Sequence, residues 1–418
     1  MTDWLLALLA TFNAFNMITV YKNRRSKHIT MLFYQWLYSL IATEFAWIWL
    51  PLQLLMVMVL LFFGGLGSWL GTVSMAVLIL SWIWLAKSVY DGLHSEKVVE
   101  HQLLHGLGHE YRDNIDAAGQ TVLNGKLRFA DWCLAFKYRK ENVDVVKNIS
   151  YGSAGIKNHL DIYRPKNLPS QGCPVLLQIH GGAWVMGSKD FQALPLMNLL
   201  ASKGWICVSI NYRLSPSVSF PAHLEDCKKA LCWIRSHGKD YGMNTDFIAV
   251  TGGSAGGHLA SLMALTANNK ALQQDSLDMD TSIQACVPLY GVYDFLPQYH
   301  PGHKNSFVDL IKNRVIHASP EDERELWELA SPILQINENA PPFMIVHGTF
   351  DSLVQLEAAR NFKQKLAERS RSPVIFVQLT GAEHAFDVVH SPRTGAVING
   401  IHRFLQWSLT QHRLSNQK

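Results

Sequence analysis

The chain has 418 residues, enough for one large domain and an additional module. Its net charge of +4 at pH 7 excludes a global basic field, so no nucleic-acid partner is expected. Hydrophobic residues make up 48% of the chain and are unevenly distributed. The six cysteines show no C-x-x-C pair and no framework spacing, which favours reduced thiols.

The N-terminal quarter has the composition of a membrane module. No charged residue occurs from Phe45 to Ala86. This length suits two spans of about 19 residues each, which we predict at 45–63 and 68–86 with the turn sequence GGLG between them. Residues 1–87 are therefore predicted to anchor the chain in membrane lipids. The alternative is a buried hairpin in the core of a soluble domain.

Two neighbouring apolar segments are compatible with more than one placement. Segment 4–20 is interrupted by Thr11, Asn13 and Asn16, and it suits either a third span or an interfacial helix. It lacks the basic leader and the cleavage site of a signal peptide. Segment 31–44 suits an interfacial position or an extension of the first hairpin helix.

The basic sequence KNRRSK, Lys22 to Lys27, predicts the orientation of the module. Clusters of Lys and Arg beside a span stay on the cytoplasmic side. The hairpin then leaves and returns, so the chain after Lys87 is also expected in the cytoplasm. We predict an integral membrane protein whose larger domain faces the cytoplasm.

Residues 88–140 are interpreted as an amphipathic connector. Three histidines follow at intervals of four residues, at His101, His105 and His109. They would share a face of a straight helix, but Gly106 and Gly108 argue against that helix, so no metal site is expected. The segment 123–140 mixes aromatic and basic residues, which suits either a membrane surface or packing on the next domain.

From about Val143, short apolar runs rich in β-branched residues alternate with amphipathic helical segments. The candidate strands are VDVVKNIS, HLDIYR, PVLLQI, WICVSI, FIAVTG, QACVPLY, FMIVHG and VIFVQL. The first two suit an antiparallel entry to a sheet. The later ones are almost continuously apolar, as parallel strands covered on both faces are. Residues 141–418 are predicted to be an α/β domain with a mostly parallel central sheet.

In such sheets, reactive groups gather beyond the carboxyl ends of the strands. The sequence HGGAW follows the third predicted strand, and its paired glycines Gly181 and Gly182 allow backbone N–H groups to approach a ligand closely. An oxyanion hole requires such donors. The alternative interpretation is a tight turn without a catalytic role.

The sequence VTGGSAGGHLA follows the fifth predicted strand and contains G-x-S-x-G around Ser254. This pattern is typical of a nucleophile on a strand-to-helix turn. A phosphate-binding loop would need Lys and Ser or Thr where His258 and Leu259 stand. The N–H of Ala255 opens the next helix and is predicted to complete the oxyanion hole. Taken alone, Ser254 also suits a small residue at a crowded turn.

Two further strand ends carry the remaining groups of a catalytic triad. Asp351 follows the seventh predicted strand and His384 follows the eighth. The chain order Ser254, Asp351, His384 is the order of α/β-hydrolases. Each residue alone is compatible with an ordinary surface or core position, but the set predicts nucleophilic catalysis by serine.

From about residue 148 the chain resembles the hormone-sensitive-lipase-like branch of the α/β-hydrolase carboxylesterases. The motifs are HGGAW, NYRLSP, FPAHLEDCKKALCWI, VTGGSAGGHLA, HGTFDSLV and GAEHAFD. Ala183 stands where the family often has glycine, and Gly253 where it often has aspartate. The HGGxW form is also similar to kynurenine formamidases and to membrane-bound prenylcysteine methylesterases. The resemblance implies an α/β-hydrolase fold and ester hydrolysis without a cofactor.

The sequence thus predicts a membrane-anchored serine carboxylesterase or lipase that acts on a small-molecule or lipid ester. The aromatic-rich segment 290–329 is predicted to form a lid; the alternative is a surface excursion. Two alternatives for the function stay open. One is a formamidase or prenylcysteine methylesterase. The other is a non-catalytic receptor, which is expected to lose triad members that this chain retains. The oligomeric state is not indicated.

Overall fold

The computed structural model describes residues 1–22, 29–123, 132, 136–273, 278–296 and 304–417. Three sequence predictions fall wholly or partly outside these residues. They concern the basic cluster after Lys22, most of segment 123–140, and residues 297–303 of the predicted lid.

The eight predicted strands form one sheet in the order β1-β2-β4-β3-β5-β6-β7-β8. Strand β2 pairs antiparallel with β1 and β4, and every other neighbouring pair is parallel. The prediction of a mostly parallel sheet with an antiparallel entry is confirmed. The strands are β1 (Val143–Ser150), β2 (His159–Pro165), β3 (Cys173–Ile179), β4 (Ile206–Ile210), β5 (Met243–Gly253), β6 (Ala285–Leu289), β7 (Phe343–Gly348) and β8 (Val374–Leu379).

The N-terminal module contains four helices: α1 (Thr2–Lys22), α2 (Ile29–Glu44), α3 (Ala46–Phe62) and α4 (Trp69–Leu107). The other described helices are α5 (Ala117–Val122), α6 (Leu194–Ser202), α7 (Ala222–His237), α8 (Ala255–Leu265), α9 (Lys304–Leu310), α10 (Arg324–Leu329), α11 (Leu356–Arg369) and α12 (Pro392–Ser415). A π-helical turn, Ile311–Ile316, follows α9 directly.

Helices cover both faces of the sheet, so the core lies in two layers. On one face, side chains of α7, α8 and α11 pack against the strands. On the other face, the strands are covered by α6, by α12 and by the final turns of α4. Successive side chains of β7 point to opposite faces of the sheet. Ile345 belongs to the first layer, whereas Met344 and Val346 belong to the second. The described cysteines are all buried, and none of them forms a disulfide.

Two described helices, α1 and α4, are long and apolar enough to cross a membrane. Helices α2 and α3 meet at an angle of 80° and would count together as a third span at most. The predicted hairpin corresponds to α3 and the first half of α4. The second predicted span, 68–86, lies almost wholly within α4, which continues beyond it without a break and is 39 residues long.

The continuation of α4 has a local physical reason. Gly106 lies against Ile375 of β8 so closely that a Cβ atom would approach its Cγ1 to 2.7 Å. The glycine expected to weaken the helix instead permits its close packing on the sheet. The helix ends at Gly108, whose φ of +94° is readily adopted only by glycine.

The three histidines in this region do not form a cluster. His101 and His105 lie on α4, whereas His109 lies beyond its end, and all three are exposed. Within the described ranges, no group of three or more His, Cys, Asp or Glu side chains is arranged to hold a metal ion.

Helices α1 and α4 run side by side in the same direction. Asp3 accepts a hydrogen bond from Ser68 just before α4, and Asn13 donates to Ser81 Oγ over 3.0 Å. Asn13 also exchanges two hydrogen bonds with Gln53 of α3, at 2.7 and 3.0 Å. Internal partners of this kind allow amides to lie within an apolar helical bundle. These partners allow Asn13 to lie within the continuous helix α1.

Candidate active site

Ser254 occupies a sharp turn between β5 and α8. Its φ of +58° and ψ of −121° lie outside the regions that residues with side chains ordinarily adopt. The glycines around it permit the turn. A Cβ atom on Gly256 would overlap the carbonyl oxygen of Ile179 in β3, and one on Gly252 would overlap that of Gly256. This geometry is the one expected for a nucleophile at a strand-to-helix turn.

Asp351 and His384 are in direct contact at the ends of β7 and β8. His384 Nδ1 lies 2.8 Å from Asp351 Oδ2. The other carboxylate oxygen accepts hydrogen bonds from the N–H groups of Leu353 and Val354, at 2.9 and 2.7 Å. A further histidine that the sequence reasoning missed, His347, places Nε2 3.2 Å from Asp351 Oδ2.

The surroundings of Asp351 favour its ionised form. Burial alone would raise the pKa of this carboxyl, but His384 and the hydrogen bond from His347 hold it well below its ordinary value. Asp351 is therefore a carboxylate over the whole range of physiological pH. It can orient the imidazole and stabilise its protonated form.

Tyr290, at the end of β6, connects the two halves of the site. Its ring lies 4.6 Å from the imidazole of His384, centroid to centroid. The same ring contacts the backbone beside the nucleophile, since a Cβ on Gly253 would meet its hydroxyl at 2.5 Å. The hydroxyl donates a hydrogen bond to the buried Asp387. Burial raises the pKa of Asp387 above its ordinary value.

A triad of Ser254, His384 and Asp351 would contain two hydrogen bonds, and one of them is present. The contact between Asp351 and His384 is present. Among the hydrogen bonds of the described residues, none joins the Ser254 hydroxyl to His384. Hydrogen bonds to a catalytic serine are often long in enzymes without substrate and shorten when substrate binds.

The loop after β3 bends unusually beside Ser254. Three successive residues have positive φ: Gly182 at +116°, Ala183 at +52° and Trp184 at +61°. The ring of His180 stacks on Tyr212 at 4.4 Å, and burial lowers the pKa of His180 to about 4, so it is neutral. The loop is thus held in a strained conformation by buried neighbours.

Gly181 is the predicted oxyanion donor whose position differs most from expectation. A Cβ on this residue would lie 3.1 Å from Ser254 Cβ, so it does adjoin the nucleophile. Its N–H, however, donates to the side chain of Gln192, with Oε1 at 2.6 Å. It becomes available to an oxyanion only when Gln192 moves away. No motif in the sequence signalled Gln192.

Gly182 and Ala255 are the other predicted oxyanion donors. Ala255 begins α8, so its N–H lies at the positive end of the helix dipole. Ala183 follows Gly182 in the same strained turn. Among the predicted site residues, the structure therefore brings Gly181 against Ser254 and Asp351 against His384.

The segment predicted to be a lid begins in the core. Phe295 stacks on His258 of α8 at 4.5 Å and meets Trp184 edge-on at 5.0 Å. Trp184 Nε1 also donates to His258 Nδ1 over 3.2 Å. The start of this segment thus packs against both the loop after β3 and helix α8, which follows Ser254.

Comparisons with known proteins find esterases among the similar sequences. The BD-FAE family model matches residues 160–366. The Mycobacterium tuberculosis protein named "Probable carboxylic ester hydrolase LipM" is 45% identical over 267 residues, which are 63% of this chain and 62% of the relative. The Arabidopsis thaliana protein named "Probable isoprenylcysteine alpha-carbonyl methylesterase ICMEL1" is 28% identical, over 60% of this chain and 53% of the relative.

A solved structure shows the same fold. Esterase B from Lactobacillus rhamnosis superimposes with a TM-score of 0.56 over 77% of this chain and 99% of the esterase, at 20% identity. This likeness concerns the fold alone. The chain spans about three fifths of the length of the curated relatives it matches, namely 62%, 61% and 61% of the first three.

Proposed function

We propose that this chain, whose α/β domain is that of an α/β-hydrolase of the carboxylesterase family, is a membrane-anchored serine esterase for apolar acyl esters. The observation that carries the proposal is the buried Asp351–His384 pair, 2.8 Å apart, facing the same tyrosine ring as the strained turn of Ser254. Homologues named as carboxylic ester hydrolases support the reaction class.

The reaction proceeds by acyl transfer through a serine ester. His384 removes the proton from Ser254 Oγ as this oxygen attacks the ester carbonyl carbon. The N–H groups of Gly182 and Ala255 stabilise the oxyanion, each donor contributing on the order of 3 kcal/mol to lowering the barrier. His384 then protonates the leaving alcohol. In the second half, His384 activates water, which releases the acid and restores Ser254.

Gly181 joins the oxyanion hole in this mechanism if Gln192 swings aside, and Ala183 is the replacement donor while Gln192 stays. The mechanism needs no metal and no organic cofactor. We propose that the described parts of the predicted lid, residues 290–296 and 304–329, wall the acyl pocket, because Tyr290 packs against His384 and Phe295 packs against Trp184 in the loop after β3.

Two features support an apolar substrate that arrives from a membrane. Helices α1 and α4 are long and apolar enough to span. The side chains of Met186 and Phe191, on the loop that carries the oxyanion donors, are 64% and 72% exposed. Such exposed apolar side chains beside a site suit contact with lipid.

The direction of α1 supports a cytoplasmic α/β domain. Because α1 runs parallel to α4, Lys22 at the end of α1 and the domain after α4 would lie on the same side of a bilayer that both helices cross. Clusters of Lys and Arg favour the cytoplasmic side. A reporter fused to the C-terminus tests this, and its accessibility from outside intact cells would contradict the orientation.

A prenylcysteine methylesterase is the second candidate. ICMEL1, whose printed name gives this activity, supports it at 28% identity. The substrate of such an enzyme has methanol as its leaving group and a lipidated cysteine as its acyl part. The same serine mechanism would hydrolyse this ester. A formamidase and a non-catalytic receptor are the other outcomes that the test distinguishes.

Labelling by a fluorophosphonate probe tests the serine mechanism. We expect the wild type to label and Ser254→Ala to lose labelling, whereas Ser170→Ala in an exposed loop serves as a matched control. A folded wild type that never labels would refute catalysis and favour the receptor. Hydrolysis of p-nitrophenyl esters of increasing acyl length, compared with a prenylcysteine methyl ester and N-formylkynurenine, separates the substrate classes.

A further inference from the structure

The residue before the histidine, Glu383, joins the two loops that carry the Asp351–His384 pair. Its Oε1 accepts a hydrogen bond from the N–H of Ser352 at 2.7 Å and another from the N–H of His384 at 2.8 Å. The side chain is only 1% exposed. Because one oxygen holds both loops, their separation cannot change without breaking a buried hydrogen bond.

Helix α2 of the N-terminal module closes over this junction. Trp36 Nε1 donates to the carbonyl oxygen of His384 over 2.8 Å. One helical turn later on the same face, the buried hydroxyl of Ser39 lies close enough to Glu383 to lower its pKa. Within the described chain, neither Ser39 Oγ nor Glu383 Oε2 has a hydrogen-bond partner, so each atom is available to the other.

The position of α2 is itself determined by packing against the α/β domain. Its last residue, Glu44, pairs with Arg393 of α12 and accepts a hydrogen bond from Ser391 at 2.7 Å. Ser88 of α4 donates to the carbonyl oxygen of Thr43 at 3.3 Å. Trp36 is therefore presented to His384 from a helix whose far end is fastened to the domain.

We propose that Glu383 and Trp36 are positioning residues of the active site, and that the N-terminal helices thereby form part of the catalytic unit as well as a membrane anchor. Glu383 holds the Asp351 and His384 loops at a fixed separation. Trp36 orients the peptide that follows His384. This inference rests on the proposed hydrolase function.

The test uses the full-length protein in detergent micelles, with a short soluble p-nitrophenyl ester as the substrate. We expect Glu383→Ala to lower kcat by about 10-fold to 100-fold with KM almost unchanged, since a small misplacement of catalytic groups has this effect. Glu383→Gln keeps an acceptor oxygen for both N–H groups and should restore most of kcat. Trp36→Phe removes only the indole donor and should lower kcat several-fold.

Two matched controls lie away from the site. Trp69→Phe changes a tryptophan at the start of α4, which is 77% exposed, and Glu357→Ala changes an exposed glutamate on α11. Neither should alter kcat. Thermal unfolding of each variant verifies that it is folded. If Glu383→Ala does not fold, Trp36→Phe and Glu383→Gln still give the comparison.

The outcomes separate this inference from the proposed function. A wild type that labels at Ser254 while Glu383→Ala and Trp36→Phe keep the wild-type kcat would overturn the inference and leave the esterase intact. Equal losses of kcat in the Trp69→Phe control would also overturn it, since the effect would not be specific to the histidine loop. A wild type without labelling would remove the function itself.

Discussion

Arg393 and Glu44 form an ion pair that is almost completely excluded from solvent, with 2.9 Å between Nη1 and Oε1. The arginine lies in the first turn of α12 and the glutamate ends α2, so the pair joins the N-terminal module to the α/β domain. The same guanidinium donates to three carbonyl oxygens, those of Thr43, Ser88 and Thr380. One side chain thus connects α2, α4 and the end of β8.

Removing one member of this pair should strongly destabilise the fold. Arg393→Met would leave a buried carboxylate without its cation, and such losses cost about 3–5 kcal/mol. Thermal unfolding in detergent measures the effect. The double variant Glu44→Gln with Arg393→Met should recover part of the loss. Asp91→Asn, in the more exposed pair with Lys87, is the control and should change little; equal melting temperatures for all variants would contradict the expectation.

Asp351→Asn should lower kcat by about 10⁴-fold, the loss seen when the carboxylate of a serine triad becomes an amide. Asp351 Oδ2 faces ring nitrogens of His384 and His347, and an amide N–H₂ there would oppose a donor. The wrong tautomer of His384 would follow. Steady-state hydrolysis measures kcat, with the exposed Asp246→Asn as the control. A loss smaller than about 10-fold would argue against this aspartate as the partner of the histidine.

Gly182→Ala should inactivate the site. At a φ of +116° an alanine is strained, and its Cβ would overlap the carbonyl oxygen of Met186. The loop must then move away from Ser254, and a lost oxyanion donor lowers kcat by about 10²-fold to 10³-fold. Ala183→Gly is the matched change at the next residue, where glycine adopts the observed φ of +52° more readily, so it should keep activity. Active Gly182→Ala enzyme would exclude this loop from the oxyanion hole.

Glu383→Gln should change how stability depends on pH. Burial and the nearby Asp351 raise the pKa of Glu383 from 4.5 to about 7. The folded state therefore keeps its proton where the unfolded state has lost it, and stability falls as pH rises from 4.5 to about 7. The free energy of unfolding is expected to fall by an amount on the order of 3 kcal/mol. The amide of the variant stays neutral, so its melting temperature should rise relative to wild type across this window. A difference between the two that stays constant with pH would contradict the shift.

Much of the α/β domain followed from hydrophobic pattern alone. All eight strands lie at the predicted runs. The six strands from β3 onward gave the clearest signal, because parallel strands buried on both faces are almost continuously apolar. The contact between Asp351 and His384 also followed, since strand ends and chain order restrict which loops can meet. In both cases a local sequence pattern is enough, because the sheet determines where each strand end lies.

The contacts that cross between modules did not follow from the sequence. Trp36 lies 348 residues before His384, and nothing in the local sequence indicates that its indole reaches that carbonyl. Gln192 beside Gly181 carries no motif. His347 and Glu383 had a weak signal, since each stands near a predicted triad member, but their roles depend on hydrogen-bond geometry. Gly106 was counted against a helix in this region, but a glycine within a helix can also permit close packing, as it does against Ile375.

The unbroken length of α4 has a consequence for substrate choice. A helix of 39 residues is about 58 Å long, nearly twice the hydrocarbon thickness of a bilayer. Its second half packs on β8 and α12, so no hinge separates the part proposed to span from the part that carries the domain. The proposed nucleophile, Ser254, would then be held at one depth along the membrane normal. Esters whose carbonyl group lies at that depth would be hydrolysed in place. Esters nearer the bilayer midplane would first have to move outward. The depth of the ester in the bilayer would therefore contribute to substrate specificity.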